Sequence, residues 1–271
     1  MNWMHGVASL PLWLSVGIVF GFSLAAAWGL VSFVRRRAPY PAFKENNELV
    51  GFSYAVLGLI YGVLLAFTIV VGWERFAETE RTVMREATVL SELWRDVNVF
   101  PPAERDEIHS NLMAYVQSVA DDEWPEMGAR GRAHPRTAQI YEQLWERTYV
   151  LYPETKIQEA YLTEVLGDIN QLSANRRLRL FYSRAEIVGI LWLVLLVGAV
   201  PTVGCTLLFA NRHGWVQGLV TMSILLIVLL SLLVALSLQY PFTGDVSIRP
   251  EAFRELLDAF HQRLLGAGAH G

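Results

Sequence analysis

The sequence has few charges and almost no cysteine for its length. Of its 271 residues 18% are charged, and Cys205 is the single cysteine. One cysteine excludes an intramolecular disulfide. The net charge of −4 provides no basic footprint of the kind that binds nucleic acid. We therefore expect no nucleic-acid partner.

The signatures of enzyme chemistry are also missing from the sequence. The six histidines are scattered, without a pair at zinc-ligand spacing and without a second cysteine to complete such a site. No phosphate-binding loop, nucleophile elbow or kinase signature is present. We expect no catalytic residue, no metal and no cofactor. The adjacent acids Asp121, Asp122 and Glu123 leave two interpretations open, a solvated helix end or a divalent-cation site.

Apolar residues dominate the chain. They make up 53% of it, and the mean hydropathy of +0.32 is high for a soluble domain. They fall in four blocks of about 20 residues, the length that crosses about 30 Å of hydrocarbon, and only helices satisfy every backbone group there without partners. The sequence therefore predicts an all-α membrane protein with four transmembrane helices. The blocks are Leu10–Val34, Leu49–Val71, Ile187–Ala210 and Trp215–Leu238.

A polar stretch between the second and third blocks predicts an all-helical soluble insertion. Phe76, Val83, Leu90 and Val97 recur every seventh residue, so we expect the second transmembrane helix to continue out of the membrane on one apolar stripe. The predicted organisation is transmembrane helices one and two in 1–72, the insertion in 73–182, helices three and four in 183–240, and a tail with a short helix in 241–271.

Three further helices are predicted in the insertion. Two prolines at 101 and 102 end one helix and start the next. A loop is expected around Gly128, Gly131 and Pro135. The apolar stripes form the bundle core or a partner-binding face. Their members are Ile108, Leu112, Tyr115 and Val119, then Ile140, Leu144 and Trp145, then Ile157, Tyr161, Val165 and Ile169.

Polarity in the second span is unevenly distributed. Tyr54, Tyr61 and Thr68 recur every seventh residue, and such hydroxyls face a water-filled path or a neighbouring helix rather than lipid. A second face carries small residues that allow close helix packing. Either one face packs while the other lines a pore, or both faces pack and there is no pore. The small residues predicted to pack are Gly51, Gly58 and Gly62.

Cationic residues crowd the loop between the first two spans. Arg35, Arg36, Arg37 and Lys44 form an anion-attracting vestibule or an anchor that contacts lipid headgroups. Arginines also flank the membrane on the insertion side, so the positive-inside rule gives a divided result. Those arginines are Arg75, Arg81, Arg85, Arg176, Arg177, Arg179 and Arg184.

Two segments resemble the bestrophin-like family of bacterial membrane proteins. The first begins at Asn46-Asn47-Glu48 and passes Gly51, Gly58 and Gly62 to Trp73-Glu74-Arg75-Phe76 and Glu86-Ala87. The second is Tyr240-Pro241-Phe242-Thr243-Gly244, followed by Arg249-Pro250 and Phe253. The order and spacing of these motifs around four spans extend the resemblance over nearly the whole chain.

The resemblance implies a pentameric anion channel whose pore is lined by the second span. The ring of bulky side chains that narrows a bestrophin pore corresponds here to Ala55, Leu59 and Val63; Ala55 is small and none of the three is phenylalanine. With Tyr54, Tyr61 and Thr68 these residues are the pore-lining candidates.

The same resemblance implies the partners and the location of the protein. It implies a homo-oligomer in the lipid bilayer of a bacterial inner membrane, inorganic anions as permeant ions, and both termini and the insertion in the cytoplasm. The alternative function is a membrane-anchored helical scaffold or sensor that binds a protein partner without conducting ions.

Overall fold

The computed structural model describes residues 3–37, 47–184, 189–209 and 211–268. Regular structure in these ranges is entirely helical. In chain order the helices are α1 (Trp3–Ala8), α2 (Leu12–Arg37), α3 (Asn47–Asp96), α4 (Pro102–Ser118), α5 (Trp124–Arg130), α6 (Pro135–Tyr149), α7 (Lys156–Tyr182), α8 (Gly189–Leu208), α9 (Gly214–Gln239) and α10 (Glu251–Gly268).

The four predicted spans are confirmed. Helices α2, α3, α8 and α9 are each long and apolar enough to cross a membrane. Helix α3 runs unbroken for 50 residues, which confirms that the second span continues beyond the apolar block. The three arginines after the first block form the last turn of α2, where cations are favoured by the negative end of the helix dipole.

The chain divides into two compact units, of which the first contains the spans. It comprises residues 1–75, 186–239 and 244–246. Polar side chains inside it bond to each other, as membrane packing requires: Trp192 donates its indole N–H to Gln239 at 2.8 Å, and the hydroxyls of Thr206 and Thr221 lie 3.0 Å apart.

The start of the first span and the segment after the fourth span meet in the first unit. The backbone N–H of Leu12, at the start of the first span, donates to the Asp245 carboxylate, beyond the end of the fourth span, at 2.7 Å. A carboxylate is favoured at a helix N-terminus. The start of the first span and the end of the fourth therefore lie at the same end of the unit.

The second unit is the helical insertion together with the end of the chain. It comprises residues 76–185, 240–243 and 247–271. The predicted stripe lies in its core, where Val83 and Leu90 of α3 and Val97, directly after α3, are buried. Helix α10 is part of the same core, since Phe253 and Phe260 are fully buried there. The segment expected to be a tail after residue 240 therefore contributes to the insertion's fold.

One detail of the predicted insertion was wrong, and one predicted apolar stripe is buried only in part. Residues expected to form a loop around Gly128 are helical, because a π-helical turn, Val119–Glu123, joins α4 to α5. The loop begins only at Gly131, whose φ of 62° is a left-handed conformation that glycine adopts without strain. In the stripe of α7, for which core and partner-binding face were both left open, Val165 and Ile169 are buried, whereas Ile157 and Tyr161 are exposed.

The segment Tyr240–Gly244 owes its residue types to packing. In the second unit the ring of Phe242 meets Trp124 edge to face at 5.3 Å, and Thr243 donates to the carbonyl of Gly128 at 2.7 Å. A Cβ on Gly128 would lie 2.7 Å from the carbonyl oxygen of Phe242, so only glycine allows this approach. Phe242 and Thr243 thus pack the end of the motif against α5.

Candidate functional site

The membrane part of α3 packs on its own chain through one narrow stripe. Tyr61, Leu65 and Thr68 are buried, and Gly72 lies against Leu238 of α9. At about 100° per residue these positions fall within roughly 60° of one another around the helix. Most of the circumference of α3 in the first unit is therefore left uncovered by the described part of its own chain.

The hydroxyl residues of the second span belong to this packed side. Tyr54 meets the ring of Phe209 edge to face at 6.0 Å, and the ring of Tyr61 fills the space where a side chain on Gly198 would stand. Thr68 donates its hydroxyl to the carbonyl of Leu64 at 2.9 Å. Of the two orientations that sequence analysis left open for hydroxyl residues, the structure shows packing against other segments of the chain for Tyr54 and Tyr61. Tyr61 and Thr68 thus belong to the buried stripe of α3, and Tyr54 is half-buried on the same side.

The other three pore candidates lie on the opposite side of α3. Ala55, Leu59 and Val63 are exposed, with 69% of Leu59 accessible. At about 100° per residue, their centre is roughly 150° around the helix from the buried stripe. No helix of the same chain covers this side within the described residues. It is available to lipid or to other copies of the chain.

The predicted packing glycines behave differently from one another. A Cβ on Gly51 would lie 3.8 Å from the ring of Phe209, whereas Gly58 and Gly62 have no atom within 4 Å of that position. Gly51 therefore packs within the chain. Gly58 and Gly62 leave room at the helix surface for another backbone, which the sequence analysis expected of all three.

One arginine of the cationic cluster after the first span is hydrogen-bonded within the chain. Arg35 donates to the backbone carbonyls of Asn211 and Arg212, at 2.9 and 3.2 Å, so it ties α2 to the loop between α8 and α9. Arg36 and Arg37 are exposed. Lys44 lies outside the described residues. The vestibule prediction is thereby reduced, among described residues, to Arg36 and Arg37.

A buried network of ion pairs occupies the centre of the second unit. Arg179 on α7 donates to Glu86 on α3 at 2.6 and 3.0 Å and to Glu123 at 2.9 Å. All three side chains are completely buried. Arg176 donates to the other oxygen of Glu123 at 2.9 Å, so two carboxylates face two guanidinium groups and the network is neutral.

The network also includes a tyrosine. Tyr115 donates its hydroxyl to Glu86 at 2.7 Å. Burial, with the negative charge of Glu86 second, raises the pKa of Tyr115 well above its usual value, so this hydroxyl keeps its proton and remains a donor. Every oxygen of both carboxylates thus has a donor, which is the condition for tolerating buried charge.

Sequence reasoning missed this network. Glu123 was expected to be a solvated helix end or part of a cation site, but it is fully buried and paired with arginines. Arg176 and Arg179 were counted as membrane-flanking charges, yet they lie inside the protein. One signal was present: Glu86 interrupts the apolar side of α3 next to the core position Ala87.

The described residues provide no metal centre. No three His, Cys, Asp or Glu side chains among them are placed to hold a metal ion. What the structure does provide is a second span with one exposed side and a folded insertion held by a neutral ion network. The fold and site thus define a class, that of four-span helical membrane proteins with a helical insertion between spans two and three.

Comparison with known proteins identifies the family within that class. The model of the bestrophin-like domain matches residues 21–253. The chain therefore belongs to the bestrophin-like family. No curated protein matches the sequence.

Solved structures share the fold. A bacterial bestrophin homologue from Klebsiella pneumoniae is similar with a TM-score of 0.67 and 17% identity, over 89% of this chain and 98% of that one. A single-site variant of that homologue gives a TM-score of 0.66 at 16% identity, over 91% and 99%. At this identity the likeness establishes the fold.

Proposed function

We propose that the protein is an oligomeric ion channel that conducts anions through a pore lined by α3. The observation that carries the proposal is the exposed side of α3 with Ala55, Leu59 and Val63, which faces away from the chain's own helices. Membership of the bestrophin-like family supports a channel, and the homologues share the fold. A pore built this way needs several copies of the chain, for which we propose five.

Packing between copies supports the same arrangement. Gly58 and Gly62 flank the exposed side of α3 and have no neighbouring atom where a side chain would stand. Small residues at such positions let helices of different chains approach closely. Placed around a common axis, copies of α3 would pack through these glycines and present Leu59 and Val63 to the centre.

The proposed permeant ion is an inorganic anion. Arg36 and Arg37 are exposed at the end of α2, and exposed cations near a pore mouth raise the local concentration of anions. The proposed location is a bacterial inner membrane with the insertion in the cytoplasm. Arg36 and Arg37 would then stand at the opposite, external mouth.

Ion flux through reconstituted protein tests the proposal. Full-length protein in liposomes should release chloride, and reversal potentials in a salt gradient should follow the chloride rather than the cation equilibrium. Leu59→Ala should change the conductance by at least about twofold, because hydrophobic constrictions control permeation. Unitary currents in planar bilayers provide the measurement.

Ile60→Ala is the matched control. Ile60 is also an exposed apolar residue of α3, 55% accessible, but it lies about 100° around the helix from Leu59. We expect it to leave the conductance unchanged. Equal effects of the two substitutions, or absence of flux for halides, bicarbonate and cations alike, would contradict the proposed pore.

One observation favours the alternative, a membrane-anchored scaffold or sensor that binds a protein partner. Tyr149, Val150 and Tyr152 form an exposed apolar cluster at the connection between α6 and α7, each more than 70% accessible. Exposed apolar clusters mark interaction surfaces. If the folded protein conducts no ion under any condition, the scaffold or sensor function replaces the channel function as the proposal.

A further inference from the structure

A buried carboxylate with one unpaired oxygen lies in the second unit, on α7. Asp168 is 6% exposed, and its Oδ2 has no hydrogen-bond partner among the described residues. The charged form of a carboxylate is strongly disfavoured away from water unless donors or a cation compensate it. Asp168 therefore differs from Glu86 and Glu123, whose oxygens are all satisfied.

The charges around Asp168 are mainly negative. Asp96 and Glu92 on α3 and Glu164 on α7 all disfavour its ionisation, while Arg95 on α3 favours it. Arg95 donates its Nε–H to Asp96 at 2.9 Å, however, and its side chain is 70% exposed. Burial first, and Asp96 second, raise the pKa of Asp168 to about 6.

Asp168 lies where α7 packs on the end of α3. Its helical neighbours Val165, Ile169 and Leu172 are buried in the same core as Leu93 and Val97. A hydrogen bond from Gln158 to the carbonyl of Val99, 3.0 Å long, fixes the start of α7 to the turn that follows α3. A negative charge at Asp168 therefore acts directly on the contact between these two helices.

We propose that Asp168 is a proton-binding site: with the proton bound, α7 packs closed against the end of α3, and release of the proton to water loosens that contact. The carboxyl O–H bond breaks, a carboxylate remains, and its repulsion from Asp96 opposes closure. The ligand is a proton rather than a metal ion because no group of three metal-ligating side chains occurs among the described residues.

The direction of the pH effect follows from the raised pKa. A carboxyl that binds its proton more tightly when folded contributes stability that is present at low pH and is lost as pH rises from about 4 to about 6. Linkage with the ordinary and raised pKa values gives a rise of about tenfold in the opening equilibrium of α7 between about pH 5 and about pH 7.5.

Hydrogen–deuterium exchange of the full chain in detergent tests the proposal. Peptides from α7, corrected for the intrinsic pH dependence of exchange, should open about tenfold more in the wild type at the higher pH. Asp168→Asn should show no such rise. The control Glu164→Gln removes an exposed carboxylate one turn earlier on α7 and should retain most of it.

Infrared spectroscopy gives a second readout that needs no variant. A protonated carboxylic-acid carbonyl band should disappear with a midpoint near pH 6 in the wild type, and be missing in Asp168→Asn. Absence of that band overturns the proposal, even where Asp168→Asn does not fold.

Two further outcomes would also overturn it. One is an undiminished rise in Asp168→Asn. The other is suppression of α7 opening by calcium at the higher pH in the wild type alone, which would make this a cation site. Neither readout depends on conduction, so a failure here is distinguishable from a failure of the proposed channel.

Discussion

Arg179 shows how much depends on single residues in the insertion. It is completely buried and pairs with both Glu86 and Glu123. Burial by itself lowers its pKa, but the adjacent Glu86 outweighs burial and the pKa is raised above its usual value, so the guanidinium stays charged. Removing one partner of a buried pair leaves the other charges uncompensated, which is far costlier than exchanging the whole set for apolar residues.

Arg179→Met should therefore lower the free energy of unfolding by about 3–5 kcal/mol. The substitution keeps the unbranched stem of the side chain but leaves Glu86 and Glu123 with one guanidinium, that of Arg176 on Glu123. Chemical unfolding of the detergent-solubilised protein, followed by tryptophan fluorescence, measures the change.

Arg177→Met is the matched control, since Arg177 is exposed on the same helix. We expect its effect to stay within about 0.5 kcal/mol. Similar losses of stability in both variants would show that the buried network contributes no more than a surface arginine.

At the scale of elements, hydrophobic periodicity predicted the helices well. The four spans and the extension of α3 were confirmed, because apolar blocks and a seven-residue repeat report directly on burial. Their ends differ by a few residues; the first block, Leu10–Val34, corresponds to α2, Leu12–Arg37. The local sequence pattern was enough to predict a helix wherever one side of that helix faces a single environment, either lipid or the core of the insertion.

Prediction failed where burial depends on distant segments. The stretch around Gly128 has turn-forming residues, but its conformation follows from packing against Phe242, more than 100 residues later in the chain. Likewise Ile157 and Tyr161 continue the apolar spacing of α7 although both are exposed. Single-sequence patterns contain no information about such contacts.

Gly128→Ala should destabilise the second unit by about 1–3 kcal/mol, because its Cβ would lie 2.7 Å from the backbone oxygen of Phe242 and backbone must shift to admit it. Thermal unfolding of the purified protein measures this. Gly167→Ala is the control: the site is helical and has no atom within 4 Å of the added Cβ. There we expect a gain of up to about 1 kcal/mol, and a loss of stability at Gly167 as large as at Gly128 would refute the steric explanation.

For the whole molecule, the four spans determine which segments lie on the same side of the membrane. An even number of crossings places both termini and the insertion on one side of the membrane and the end of α2 on the other. The sequence already predicted this topology. It did not predict the orientation, because arginines flank the membrane on both sides and the positive-inside rule therefore supports both orientations. The structure removes Arg176 and Arg179 from that comparison because both are buried.

Labelling of single cysteines in intact cells tests the orientation. With Cys205→Ser as background, a membrane-impermeant maleimide should leave Arg36→Cys reactive and Tyr152→Cys protected until the cells are permeabilised. Both positions are exposed. The reverse pattern would place the insertion outside the cell.

The candidate site was predicted only in part. The second span was singled out from its residues, and Ala55, Leu59 and Val63 from family resemblance, but the side of α3 that faces away from its own chain required the structure. The hydroxyl stripe of Tyr54, Tyr61 and Thr68 left two orientations open in the sequence, because a wet surface and a helix contact favour the same residue types.

The Glu86–Glu123–Arg179 network has a consequence for how this sequence can diverge. Because loss of any one member strands a charge in the interior, no single substitution leads from this arrangement to an apolar core. We expect descendants to inherit the three positions as a block or to have exchanged them jointly, which makes the trio a marker of shared ancestry.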